Sequence, residues 1–196
     1  MRHLPKSDFR SMPWKNGGGQ TIEIIKSPEG ADLNHFDWRI SMAVVASDGP
    51  FSIFPEIDRH LAVLEGAGID LHVGDNGPSV HLTPASQAFA FAGDRPITAT
   101  LTDGPITDLN VMVRRGVWQA ELSSHEFAGN RSFALSGDFV LFLVQQGSLS
   151  CVVHDQRCNA CEGDAVVFAP SDASVLCEAA THCRIWQIKL TRVTKE

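Results

Sequence analysis

Short segments with two-residue alternation or β-branched runs follow one another at close spacing along this chain, and no stretch holds a helical period through three turns. The first series comprises 21–26, 38–45, 61–64, 69–73, 80–83, 88–91, 97–102 and 109–113. A second series, 139–144, 149–154, 165–169, 175–178 and 184–190, is punctuated by turn chemistry such as Gly163-Asp164. Ile57, Leu61 and Leu64 stand at helical spacing, so 56–64 is expected to be a turn with one helical turn. Antiparallel strands with Gly-rich turns and no crossover helices favour barrels or jelly rolls over an α/β sheet. The two series also resemble each other: 64–73 can be laid on 144–153, and 88–92 on 165–169. The identities are few, and chance likeness between strand-rich stretches is the competing explanation.

Composition narrows the class of function. With 196 residues, 43% of them hydrophobic, the chain can bury a real core and wholesale disorder is excluded. A net charge of -7 has the wrong sign for a general nucleic-acid or anionic-membrane binder, so any anion site must be local. No apolar run is long enough for a membrane helix, and the first ten residues lack the apolar core of a signal peptide, which makes the expected address cytoplasmic. Five cysteines, an odd number, fit reduced thiols better than a disulfide framework.

Three segments stand out. In Pro13-Trp14-Lys15-Asn16-Gly17-Gly18-Gly19-Gln20-Thr21, three consecutive glycines cost backbone entropy, so something must approach that backbone or force positive φ. A phosphate loop is disfavoured because a strand, not a helix N-terminus, follows. In Trp38-Arg39-Ile40-Ser41-Met42-Ala43-Val44, strand geometry puts Arg39, Ser41 and Ala43 on the face opposite Trp38, Ile40 and Met42. That face is either a solvated exterior or the lining of a polar pocket. Downstream, Gly49-Pro50-Phe51-Ser52 leads to Asp58-Arg59, where Arg59 could equally form a surface ion pair with Asp58 or Glu56. In the third segment, Leu109, Val111 and Val113 share one face, leaving Asp108, Asn110, Met112 and Arg114 on the other. The same two readings compete there.

Metal chemistry finds little support. Gly66 and His72 open like a cupin metal motif, but Gly74 stands where a second His belongs and Asp75-Asn76-Gly77 reads as a turn. Cys158-x2-Cys161, with Cys177 and Cys183 further on, leaves structural zinc as a minor alternative. No cofactor is expected. Nor does a nucleophile elbow or a paired-carboxylate pattern nominate catalytic residues.

Together the three segments resemble the HutD/Ves family of cupin proteins. The shared pattern is Trp14-Lys15-Asn16-Gly17-Gly18-Gly19-x-Thr21, then Trp38-Arg39-x-Ser41-x-Ala43, Gly49 to Ser52, Asp58-Arg59, and Asp108-Leu109-Asn110-x-Met112. One departure is Glu56, where the family pattern has Gly, so the turn that positions Arg59 is expected to differ. The resemblance implies an all-β, two-cupin (bicupin) double-stranded β-barrel with little helix and no metal motif, divided into halves 1–115 and 116–196. It also implies a role in histidine utilisation, as a regulator or sensor of a metabolite such as urocanate or formylglutamate.

The ligand set that follows rests partly on the resemblance. Lys15, Arg39 and Arg59 concentrate positive charge in an acidic protein, with Arg39 presenting a fork suited to a carboxylate. Asn16, Ser41 and Asn110 supply hydrogen bonds, Gly17 and Gly18 supply backbone N–H groups, and Trp14 or Phe51 an apolar wall. The expected partner is therefore a small anionic metabolite, with neither nucleic acid nor membrane; barrel edges leave a homodimer open. The rival is a metal-independent cupin enzyme, an isomerase or hydrolase of a small carboxylate, and the sequence leans towards binding.

Overall fold

A computed structural model describes residues 1–15, 17–74 and 77–194. In chain order its strands are β1 (Arg2–Leu4), β2 (Arg10–Pro13), β3 (Gly19–Ser27), β4 (Trp38–Val45), β5 (Gly49–Pro50), β6 (Ile57–Glu65), β7 (Ile69–Val73), β8 (Ser79–Leu82) and β9 (Phe89–Ala92). There follow β10 (Ile97–Leu101), β11 (Ile106–Arg114), β12 (Trp118–Ala134), β13 (Phe139–Gln146), β14 (Ser148–Val153), β15 (Gln156–Cys161), β16 (Ala165–Phe168) and β17 (Ser174–Arg192). Among the described residues the helical content is one short 3-10 turn, Lys6–Asp8. The fold is all-β, and none of the described helices is long and apolar enough to cross a membrane.

The chain forms two compact units, Arg10–Trp118 and Met1–Phe9 with Gln119–Glu196. In the first, a six-stranded antiparallel sheet runs β2-β3-β4-β11-β6-β9 and a four-stranded one β5-β10-β7-β8. Their alternating apolar positions form one cluster. Ala43, Val45, Leu61, Val63 and Ile106 come from the larger sheet and Ile69, Leu71, Val73, Ile97 and Ala99 from the smaller. Period two is visible within β7, where Ile69, Leu71 and Val73 are buried and His72 is exposed. In the second unit the order is β1-β16-β13-β17-β14-β15, with β12 also on β17. Its core stacks Phe142 edge-on between Phe133 and Phe168 and buries the free thiols of Cys151, Cys177 and Cys183.

One local expectation is corrected. The segment 56–64 is no helical turn: Ile57–Glu65 is a strand paired with β11 on one side and β9 on the other. Helical spacing of Ile57, Leu61 and Leu64 was outweighed by the period-two set Ile57, Leu61 and Val63, which reaches the core. Cys158 and Cys161 likewise lie within strand β15, where an offset of three puts them on opposite faces, one half-buried and one exposed.

The glycine run meets both expected demands. Gly17 adopts φ +71°, and a side chain on Gly19 would sit 2.2 Å from the Val44 carbonyl oxygen and 3.0 Å from the Trp14 ring. What approaches that backbone is therefore strand β4 and the indole, with the Gly18 carbonyl accepting from the Ala46 N–H at 2.9 Å.

Glu56 takes φ +60°, the left-handed conformation that the family's glycine would adopt freely. A residue with a Cβ holds that conformation at the cost of local strain. The Glu56 side chain is exposed and reaches only Arg114, at 3.7 Å, in a pair that contributes little. Glu56→Gly is therefore expected to stabilise the protein by about 0.5–1 kcal/mol, because relief of strain exceeds the gain in unfolded-chain entropy. Urea unfolding checks it; destabilisation would mean that the side chain carries a contact worth more than the strain.

Candidate functional site

Three neighbouring strands of the larger sheet present the site as a grid. Register pairs Arg39 with Met112 and Met112 with Arg59; one pleat on, Ser41 faces Asn110 and Asn110 faces Leu61; next, Ala43 faces Asp108 and Asp108 faces Val63. All nine project from one face, since alternate residues of a strand share a side. At the Val63 end this face joins the apolar core, and at the arginine end it floors a cavity of about 630 Å³. Arg39 and Arg59 stand two strands apart, roughly 10 Å at the backbone, with Met112 between them.

Arg59 is buried, only 7% exposed. Its Nη2 donates to Asn110 Oδ1 at 2.6 Å and its Nη1 to the Ser52 carbonyl at 3.4 Å, while its Nε has no hydrogen-bond partner. The guanidinium carbon lies 5.0 Å from the Phe51 ring centroid, 5.1 Å from that of Phe91 and 5.7 Å from that of Phe54. Ring quadrupoles thus replace part of the lost hydration. Burial pulls its pKa down to about 10, with Asp108 opposing and Arg39 adding to the shift, so the group stays cationic at neutral pH.

Asp108 completes the chain of contacts. The Asn110 amide nitrogen donates to its Oδ1 at 2.6 Å, so one side chain bridges the cation and the carboxyl group. Burial pushes the Asp108 carboxyl up to about 7, against the attraction of Arg59 and hydrogen bonds from Asn110 and the Ala43 backbone. Arg39 is held differently. Its Nε donates to Glu23 Oε2 at 2.8 Å, and Lys26 Nζ sits 3.0 Å from Glu23 Oε1. Burial alone would raise the Glu23 pKa, but bonds from Arg39 and Lys26 hold it below its ordinary value. The Nη groups of Arg39 have no partner among the described residues.

The remaining expected residues divide. Trp14 lines the cavity, its Nε1 donating to Thr21 Oγ1 at 2.8 Å, as do Lys15, Phe51 and the buried Ser41. Asn16 lies outside the described residues. Gly17 and Gly18 do not line the cavity, and the Gly17 N–H is engaged by the Trp14 carbonyl at 3.1 Å. The surface pairing considered for Arg59 is not formed: Asp58 accepts from Arg115 at 2.7 Å instead. Sequence reasoning left Asp108 and Phe54 out of the site. Asp108 was legible, since it shares a strand face with Asn110; Phe54 sits in a loop without periodicity. Among the described residues no three His, Cys, Asp or Glu side chains converge as metal ligands, and His72 points outward.

Truncating the bridge should be costly, because it strands two buried polar groups at once. Asn110→Ala is expected to lose about 3 kcal/mol in urea unfolding; a loss below about 1 kcal/mol would show that Arg59 and Asp108 do not depend on it. The sign of a second effect follows from Asp108. Its folded pKa of about 7 lies above the ordinary 3.8, so the folded state holds the extra proton and this contribution to stability declines as pH rises from about 4 to about 7. Asp108→Asn should lack that decline, so the stability of wild type relative to the variant should fall as pH rises across this range; parallel curves would contradict it.

Comparison with known proteins supplies an independent line. The family model described as HutD matches residues 6–186. Over 119 residues the chain is 40% identical to Protein Ves of Cronobacter sakazakii, covering 59% of this chain and 63% of that protein. It is also 40% identical over 119 residues to an uncharacterized 21.2 kDa protein in the hutC 3' region of Pseudomonas putida, covering 61% of each. The match thus spans about three fifths of these relatives' lengths. The structure of HutD from Pseudomonas fluorescens superposes with a TM-score of 0.79 at 30% identity, covering 97% of this chain and 98% of that one. A cupin 2 conserved barrel domain protein from Leptotrichia buccalis, 9% identical with a TM-score of 0.59 over 96% of this chain and 100% of that one, shares the fold alone.

Proposed function

The chain belongs to the HutD family, and on that premise we propose that it binds a small carboxylate at the Arg39–Arg59 floor, without a metal, as a regulator or metabolite sensor of histidine utilisation. One observation carries the binding reading. Arg39 lines the cavity with its Nε fixed on Glu23, so its guanidinium plane is oriented before any ligand arrives and its Nη groups remain for a second, bidentate acceptor. Ser41 and Asn110 stand on the same floor for a further polar group, and Trp14, Phe51 and Phe54 offer apolar walls to a flat or short-chain body. Urocanate and formylglutamate fit that description, and the hutC-region relative and the HutD structure support the link to histidine utilisation. The two compact antiparallel units support reading the chain as two cupin halves, and the proposed setting is the cytoplasm.

A second reading, a metal-independent cupin enzyme acting on a small carboxylate, is favoured by one feature: a buried carboxyl group, Asp108, lines the same cavity. Following titrated acids by ultraviolet absorbance and mass spectrometry separates the two, since turnover of either acid would make the protein an enzyme.

Calorimetric titration of urocanate and formylglutamate into wild type and Arg39→Ala tests the binding proposal. The variant is expected to lose about 1.5–3 kcal/mol, roughly ten- to a hundredfold in Kd, through loss of a charge-assisted hydrogen bond. Arg39→Lys should recover only part, because an ammonium lacks the planar fork. No heat with either acid, or equal affinity in all three proteins, would sink the assignment.

A further inference from the structure

Asp108 is a cavity-lining carboxyl group that the carboxylate-binding reading leaves unused, and its position makes a demand on any anion that enters. It is 1% exposed, accepts from Asn110 at 2.6 Å, and is balanced by Arg59 only through that amide. We infer that the site is proton-coupled: a carboxylate enters together with one proton, and Asp108 holds that proton while the ligand is bound. This rests on the proposed binding of a carboxylate at Arg39 and Arg59.

The groups facing Asp108 are few. On β6 the charged one is Arg59; on β4 it is Arg39, with Glu23 and then Lys26 of β3 held behind it. On β11 its neighbours Asn110 and Met112 are uncharged, and directly across the strands stand Ala43 and Val63. Around the cavity the remaining charges are exposed Lys15 and Asp48, the latter engaged by the Leu101 N–H at 2.8 Å. Glu23 is tied to two cations, so it is poorly placed to take up a proton. An arriving carboxylate adds a second negative charge beside Arg59, the cation that now balances Asp108. Protonating Asp108 removes that conflict without moving a side chain, because Asn110 can go on donating to one oxygen while the other carries the proton. The carboxyl group already titrates near neutrality, where such a change is cheap.

Linkage gives the sign. Well below pH 7 Asp108 holds its proton before binding, and affinity is flat; above it, binding must draw the proton from solution, so affinity falls about tenfold per pH unit until the pKa of the bound state is passed. The test is calorimetry with benzoate and N-formylglutamate between about pH 6 and pH 9, in buffers of different ionisation enthalpy; both acids are fully ionised throughout this range. Wild type should take up close to one proton per ligand near pH 8, and Asp108→Asn, which keeps an acceptor for Asn110, should take up none and bind with a flat pH profile. Should the variant not fold, carbon-13 NMR of the wild-type side-chain carboxyl groups reads the same event, as an Asp108 resonance that shifts to its protonated position on saturation. Binding that is pH-flat without proton uptake, an unmoved Asp108 resonance, or uptake unchanged in Asp108→Asn would overturn the inference and leave the binding proposal standing. Absence of binding by both acids at every pH would overturn the inference, and with no heat from urocanate either, the binding proposal as well.

Discussion

Arg59 is a cation held largely out of water, and much of the first unit's polar architecture is arranged around that fact. A bare buried guanidinium would cost many kcal/mol. The protein meets this with four partial measures: a carbonyl oxygen from Asn110, the Ser52 backbone carbonyl, the faces of Phe51, Phe54 and Phe91, and a carboxyl group one amide away. None is a direct ion pair. A direct Asp108–Arg59 pair would neutralise both groups and leave little field in the cavity, whereas an amide bridge satisfies hydrogen bonds and leaves the cation attractive to a third party. The unpartnered Nε of Arg59 marks how incomplete the internal neutralisation is.

Arg39 follows the opposite rule and reaches a compatible end. It makes a direct ion pair with Glu23, and Lys26 on the same carboxylate leaves this trio with a net charge of about +1. Glu23 therefore orients Arg39 without cancelling it. In a protein of net charge -7, two arginines on one floor, backed by a lysine, produce a local positive field that the overall balance conceals.

How much of this was legible in the sequence depends on which physical rule was in force. Period-two alternation placed Arg39 with Ser41 and Asp108 with Asn110 on common faces, and those faces form the grid. Alternation could not say whether such a face met solvent or a cavity, because that depends on the β3-β4-β11-β6 order, a long-range property. The glycine run advertised a close approach, but the partner was strand β4, 25 residues on at Val44, and not a ligand. At Glu56 the residue type argued against a left-handed turn and the tertiary structure imposed one, at a cost of about 1 kcal/mol that pairing of β6 with both neighbours readily outweighs. Ile57, Leu61 and Leu64 misled for the same reason: a nine-residue strand paired on both sides is decided by its neighbours more than by its own spacing.

The cavity divides its labour between strands and loops. Its directional groups, Arg39, Ser41, Arg59, Asp108 and Asn110, all rise from strands whose backbone is locked in a ladder on both sides. Its apolar walls come largely from the stretches around Trp14 and from Phe51 to Phe54, where the chain runs through loops. Rigid strands can hold a guanidinium plane to the fraction of an ångström that bidentate recognition requires; loops cannot, but apolar contact is non-directional and does not ask it of them. On the proposed binding, such a site would set the chemical class of the ligand in its floor and its size and shape in its walls. Floor and wall are not independent everywhere: Phe51 and Phe54 also face the Arg59 guanidinium, so a change there alters the floor's cation as well, whereas Trp14 contributes wall without touching Arg59.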